Sequence, residues 1–167
     1  MTSDTDDWSA WLDAHGAALV LFARQWLPAA ADAEDVVQEA FVRFWRARHR
    51  ADDPTAFLYA CVRRCALDWL RARRRRAARE AAAARTEPVD GALFAAGPER
   101  DERRAAVEAA LARLPEEQRT VLVLKVWGGL TFPQIAETLG IPANTAASRY
   151  RYALDKLRTL LAEARVP

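Results

Sequence analysis

Residues 131–154, TFPQIAETLGIPANTAASRYRYAL, leave the chain few folds to adopt. Thr131 and Gln134 have the spacing of a capping box, in which the threonine caps a first helical turn and the glutamine reaches back. Ile135, Ala136 and Leu139 recur as the apolar face of a short helix. Gly140 follows where a left-handed residue closes a helix, and Pro142 cannot continue one. Ile141 is placed to plug the core beneath the turn, and Asn144 is placed to cap a second helix. That helix carries Thr145, Ser148, Arg149, Arg151 and Tyr152 near its start. The pattern predicts a helix-turn-helix whose second helix enters the major groove by its N-terminal turns.

The rest of the chain reads as helical too. Trp8, Trp11, Leu12, His15, Leu19, Phe22 and Trp26 recur every three or four residues and mark a first helix ended by Pro28. Asp32 is placed to cap a second, with Val36, Val37, Ala40, Phe41, Phe44 and Trp45 as its buried stripe. After Asp52, Asp53 and Pro54, a third helix turns Phe57, Leu58, Cys61, Val62, Cys65, Leu67, Trp69 and Leu70 inward and runs on to about Arg85. Residues 86–97 are small, polar and broken by Pro and Gly, the composition of a linker. A fourth helix opens at Gly97-Pro98 and buries Val107, Ala110, Leu111 and Leu114. Pro115 starts a fifth, with Val121, Leu122, Leu124, Val126 and Trp127 as core, before Gly128-Gly129 turns into the helix-turn-helix. No stretch alternates with period two. The expected fold is all-α: a three-helix domain over 1–85, a flexible linker over 86–97 and a four-helix domain over 98–167.

Charge distribution says more than the total of +2. Asp4, Asp6 and Asp7 crowd the start, so no secretory signal is expected there. No apolar run reaches the roughly 20 residues of a membrane span, and a cytoplasmic protein without membrane insertion is expected. Arg63, Arg64, Arg71, Arg73, Arg74, Arg75, Arg76 and Arg79 concentrate positive charge in the third helix. Such a block is either a nucleic-acid surface or the solvated end of a helix. Cys61 and Cys65 share a helical face without the further Cys or His ligands a zinc site needs. They read as small buried side chains, with a redox pair as the alternative. His15 and His49 stand apart. No nucleophile–base pair, phosphate loop or metal-ligand cluster is evident, so no catalytic residue, cofactor or metal is expected.

Two separated segments resemble one family. Asp32 to Arg46, DAEDVVQEAFVRFWR, resembles the second region of bacterial RNA polymerase sigma factors of the extracytoplasmic-function group. Leu114 to Leu124, LPEEQRTVLVL, together with the helix-turn-helix, resembles their fourth region. Residues 54–76, ending CALDWLRARRRR, look like the promoter-melting part of region two. The resemblance spans about Trp8 to Leu161, with the linker unmatched.

It implies that Glu34, Asp35, Gln38, Glu39 and Arg43 dock on the coiled coil of the largest catalytic subunit of core polymerase. A mixed polar surface beside aromatic residues suits a protein interface better than a phosphate backbone; the plainer alternative is a solvated face with its own ion pairs. It also places minus-ten recognition on Arg63, Arg64, Asp68, Trp69, Arg71, Arg73, Arg74 and Arg75. Opened bases need aromatic or guanidinium surfaces to stack on and cations along the strand. Trp69 reads equally as core. Arg64 stands where many members have asparagine, and arginine favours guanine or phosphate.

Minus-thirty-five contacts fall on Asn144, Thr145, Ala147, Ser148, Arg149, Arg151 and Tyr152. Here Arg149 and Arg151 are expected on bases or phosphates, Thr145 and Ser148 positioning the helix, and Tyr152 on backbone or a thymine methyl. Ala147 replaces a basic residue of the family pattern. The implied protein is a sigma factor whose candidate partners are core RNA polymerase, promoter DNA and an anti-sigma factor. The competing readings are an autonomous helix-turn-helix regulator and a polymerase-binding adaptor that reads no promoter.

Overall fold

The computed structural model describes residues 4–80 and 102–164, which fold into seven α-helices and one 3-10 turn. The chain divides into two units, Met1–Gly91 and Ala92–Pro167. The expected linker over 86–97, the run of the third helix to Arg85 and the helix start at Pro98 lie outside the described residues.

The first unit is built from α1 (Asp4–Ala23), α2 (Ala30–Ala47) and α3 (Pro54–Glu80), with a 3-10 turn at Arg48–Arg50. Its core is aromatic. Phe22, Phe41, Phe44 and Tyr59 are each at most 1% exposed. Trp8 meets Phe41 edge-on at 4.6 Å, Trp11 tilts against Phe44 at 5.0 Å, and Phe22 meets Tyr59 at 5.5 Å. Fully burying one such ring contributes about 1.5–3 kcal/mol, so these rings dominate the unit's stability.

Three expectations for this unit are corrected. α1 ends at Ala23, so Trp26 lies in the following turn, where it still packs on Phe22 at 5.0 Å. Leu12 is 43% exposed, because a stripe read at three- and four-residue spacing is wider than the face three helices can cover. α2 starts two residues before Asp32, with Ala29 at its N-cap and no side-chain cap bond. Asp32 instead sits in the first turn, where its charge faces the helix dipole. The residue that does cap a helix here is Asp53, whose Oδ1 accepts from the Ala56 N–H at 2.9 Å at the start of α3.

The second unit comprises α4 (Glu102–Ala112), α5 (Glu116–Val126), α6 (Phe132–Leu139) and α7 (Ala143–Glu163). Leu111, Leu114, Leu122 and Ala153 form its core, with Val107, Tyr150, Leu154 and Leu157 packed around them. Val126 and Trp127, expected in this core, are 52% and 38% exposed. They fall at the end of α5, where the chain turns away through Gly129 at φ 66°, and it is Leu130, 1% exposed, that returns to the interior.

The turn between α6 and α7 forms as its residues dictate. The Gln134 N–H donates to Thr131 Oγ1 at 3.3 Å, and the Thr131 N–H donates to Gln134 Oε1 at 2.8 Å, which completes the capping box. Gly140 closes α6 at φ 67°, and its N–H reaches the Ala136 carbonyl. Pro142, rather than Asn144, is the N-cap of α7. Asn144 lies inside the first turn, where its Oδ1 accepts from the Thr145 N–H at 2.9 Å.

Candidate nucleic-acid and protein interfaces

One face of α2 turns outward whole. Glu34, Asp35, Gln38, Glu39 and Arg43 are all exposed. Val42, 42% exposed, sits at the middle of this face, a residue the sequence reading passed over because it lies among the apolar positions of an aromatic-rich helix. The surface is thus polar with an apolar centre, the composition of a protein-binding patch with a polar rim. Arg43 pairs with Glu39 one turn earlier and faces Asp68 of α3 at 3.9 Å.

Along α3, Arg64, Arg71, Arg73, Arg74 and Arg75 are exposed and Arg63 is half-buried. Arg71 is held by Asp68 at 2.9 Å. Trp69 is half-buried, with the Arg73 guanidinium 5.3 Å from its ring, so it is neither wholly core nor a free stacking platform. Beyond Leu70 the helix carries arginine around much of its circumference. Neighbouring cations at three- and four-residue spacing repel one another, and a polyanion laid along them would relieve that repulsion.

Cys65 is buried and Cys61 half-buried on the inner side of the same helix. Burial pushes the Cys65 thiol up to about 11 and raises Cys61 in the same direction, so both are poor thiolates.

In α7 the seven residues singled out from the sequence do not share one face. Asn144, Arg151 and Tyr152 are exposed, with Ala147 and Ser148 half-buried beside them. Tyr152 is 55% exposed, and the Arg151 guanidinium lies 5.2 Å from its ring. The Ser148 hydroxyl donates to the Thr145 carbonyl at 3.0 Å. Ala146 and Ala153 are fully buried and define the inner side, and Tyr150 packs on Phe132 at 5.7 Å.

Arg149 stands apart from the exposed group. Its side chain is only 25% exposed, and its Nη2 binds Glu117 Oε2 of α5 at 2.7 Å. Glu117 was missed in the sequence reading. It is 32 residues from Arg149 (149 − 117), and within the Glu116-Glu117 pair no periodicity distinguishes it.

Residues 11–76 match the family model of sigma-70 region 2, and residues 104–157 match that of sigma-70 region 4. Over 164 residues the chain is 34% identical to the ECF RNA polymerase sigma factor SigL of Mycobacterium tuberculosis, covering 90% of this chain and 86% of SigL. The chain belongs to the extracytoplasmic-function sigma factors. It is also similar to the RNA polymerase sigma-H factor of Pseudomonas aeruginosa, 37% identical over 150 residues, covering 81% of this chain and 78% of that one. Among solved structures, CnrH in complex with the cytosolic domain of CnrY aligns with a TM-score of 0.64 at 28% identity, over 97% of this chain and 91% of that one. The sigma factor RpoE from Bartonella quintana, solved with the anti-sigma factor NepR, shares the fold: TM-score 0.70 at 22% identity, over 93% and 97% of the two chains.

This sigma factor therefore directs transcription initiation by RNA polymerase, and the all-α expectation holds for the described residues. No described helix is long and apolar enough to cross a membrane.

Proposed function

We propose that the chain acts as a dissociable specificity subunit, with its three contact surfaces divided between the two units. The outward face of α2, Glu34 to Arg43 around Val42, docks on core polymerase. The arginine-rich side of α3 captures the opened minus-ten strand. The helix-turn-helix reads the minus-thirty-five element through the N-terminal turns of α7. Residues 86–97, a linker by their composition, connect the two contact regions, and polymerase geometry sets the spacing of the two elements.

The observation that carries this division is the contrast between the two outward helices. α2 offers mixed charge around an apolar centre, whereas α3 offers cations beside an indole, and these suit a protein and a single-stranded nucleic acid respectively. The chain itself performs no covalent chemistry in this reading; polymerisation belongs to the polymerase. It works in the cytoplasm, where polymerase and promoters are. By analogy with the relatives solved as complexes, an anti-sigma factor is a further partner.

The test mixes purified protein with bacterial core RNA polymerase and a pool of duplexes randomised upstream of the start site, then sequences the transcripts. Transcripts sharing two spaced upstream elements support the reading. Binding to core without initiation would support the adaptor, and selection of DNA without core would support the autonomous regulator.

A further inference from the structure

We propose that Arg149 sets the angle of the recognition helix through its ion pair with Glu117, and that Arg151 carries the cationic contact to DNA instead. The inference rests on the reading of the second unit as the minus-thirty-five reader. At about 100° per residue, Arg149 and Arg151 lie about 160° apart around α7. Arg151 therefore shares a side with Asn144 and Ser148, while Arg149 lies toward the side marked by buried Ala146 and Ala153.

The surroundings of Arg149 agree with its position. Its side chain is largely covered, and its guanidinium is already engaged by a carboxylate at 2.7 Å. Glu117 stands in the first turn of α5, where a negative charge faces the positive end of the helix dipole. The Glu117 side chain is 70% exposed, so a phosphate brought to Arg149 would also approach that carboxylate. The pair ties α5 to the second turn of α7, the end that bears the reading residues. A further ion pair of α7, Arg113–Glu163 at 3.6 Å, joins its far end to the residue that follows α4. Small changes of tilt at the reading end displace every side chain that must meet a base edge.

The geometry also admits a rival in which Glu117 masks an arginine that would otherwise bind DNA, and the two make opposite predictions. The test uses holoenzyme assembled from the full chain and bacterial core polymerase, on a duplex the wild type selects from a randomised pool. If Arg149 positions the helix, E117Q and R149A each lower initiation by roughly 3- to 10-fold, about the loss of one partly buried ion pair. The double variant E117Q/R149A is then no worse than either single one. The salt dependence of binding keeps its slope in all three, because no phosphate contact has gone. The reversed pair, E117R/R149E, restores initiation and the wild-type base preference. R151A, in contrast, flattens the salt slope by about one or relaxes preference at one base pair.

E117Q that binds more tightly with a steeper salt slope would establish masking and overturn the inference. So would a reversed pair weaker than both single variants, since a carboxylate at 149 cannot replace a DNA contact. Thermal melting of each variant separates lost fold from lost positioning, because Glu117 is exposed and E117Q should melt close to wild type. Wild type that starts no transcription would overturn the proposed function itself, whereas a normal wild type with the wrong variant pattern overturns this inference alone.

Discussion

Arg43 of α2 and Asp68 of α3 face each other across 3.9 Å, and the same Asp68 carboxylate holds Arg71 at 2.9 Å. One acid thus links the proposed polymerase face to the proposed minus-ten strand. All three side chains are about half exposed or more, so the pairs contribute little to stability, under about 1 kcal/mol each. Their effect on nucleic-acid binding is expected to be larger. Asp68→Asn removes a negative charge beside the arginines and releases Arg71. We expect unchanged melting and tighter binding of a labelled single-stranded oligonucleotide, by fluorescence anisotropy, with a steeper dependence on salt. Weaker binding would mean that Asp68 itself contacts the strand, in keeping with its place among the minus-ten residues that the family resemblance implied.

Gly140 is the second position where a small change has a calculable outcome. Its φ of 67° is left-handed, yet a Cβ built there meets nothing within 4 Å. The cost of Gly140→Ala is therefore backbone strain without a clash, about 1–2 kcal/mol. Gly140→Asn should cost less, because asparagine visits this region more readily. Chemical denaturation followed by circular dichroism measures both. A loss for alanine well above about 3 kcal/mol would show that the turn cannot hold its conformation and that α6 and α7 lose their mutual angle.

The contrast between Gly140 and Arg149 shows what a sequence discloses. The capping box, the left-handed glycine and the proline stop are local: each is satisfied within a few residues, so spacing suffices to read them. The apolar stripes of α2 and α3 were legible for the same reason, since helical period alone turns Phe41 and Phe44, and Leu58, Val62 and Cys65, to one side of their helices, whereas fully buried Tyr59 was not among the residues read as inward. Arg149 depends on Glu117, a partner distant in sequence and chosen by how two helices cross. Nothing in the spacing of either residue encodes that crossing. Val126 and Trp127 failed for a related reason: they close α5 just before the chain bends at Gly129, and the bend decides which side chains are covered. Asn144 was displaced as cap by Pro142 because helix ends can shift by one or two residues without altering the pattern.

The cysteines yield a chemical prediction. With its thiol pushed up to about 11 by burial, Cys65 is ionised in about one molecule in a thousand at about pH 8. Cys61 is raised in the same direction by burial, against the opposing pull of Arg64 and Arg43. Both thiols should resist iodoacetamide in the folded protein and react fully in denaturant, as read by mass spectrometry over time. Rapid labelling of Cys61 in the folded state would contradict this and revive a redox role for the pair.

His15 supplies the pH dependence. It lies on α1, stacked on Trp11 at 5.1 Å and edge-on to the buried Tyr59 at 6.2 Å. Burial holds its imidazole below the ordinary value of 6.5, since the charged form would lose hydration among aromatic rings. The unfolded chain therefore takes up the proton first as pH falls. Above 6.5 both states are neutral and the contribution of His15 to stability is complete; below it, protonation favours the unfolded state until the folded imidazole also titrates. The melting temperature should thus decline as pH falls from about 7.5 to about 5.5, before most carboxylates begin to titrate. His15→Phe keeps a ring against Trp11 but cannot take a proton, so its decline over that range should be visibly shallower. Parallel curves for the two proteins would assign the acid sensitivity elsewhere.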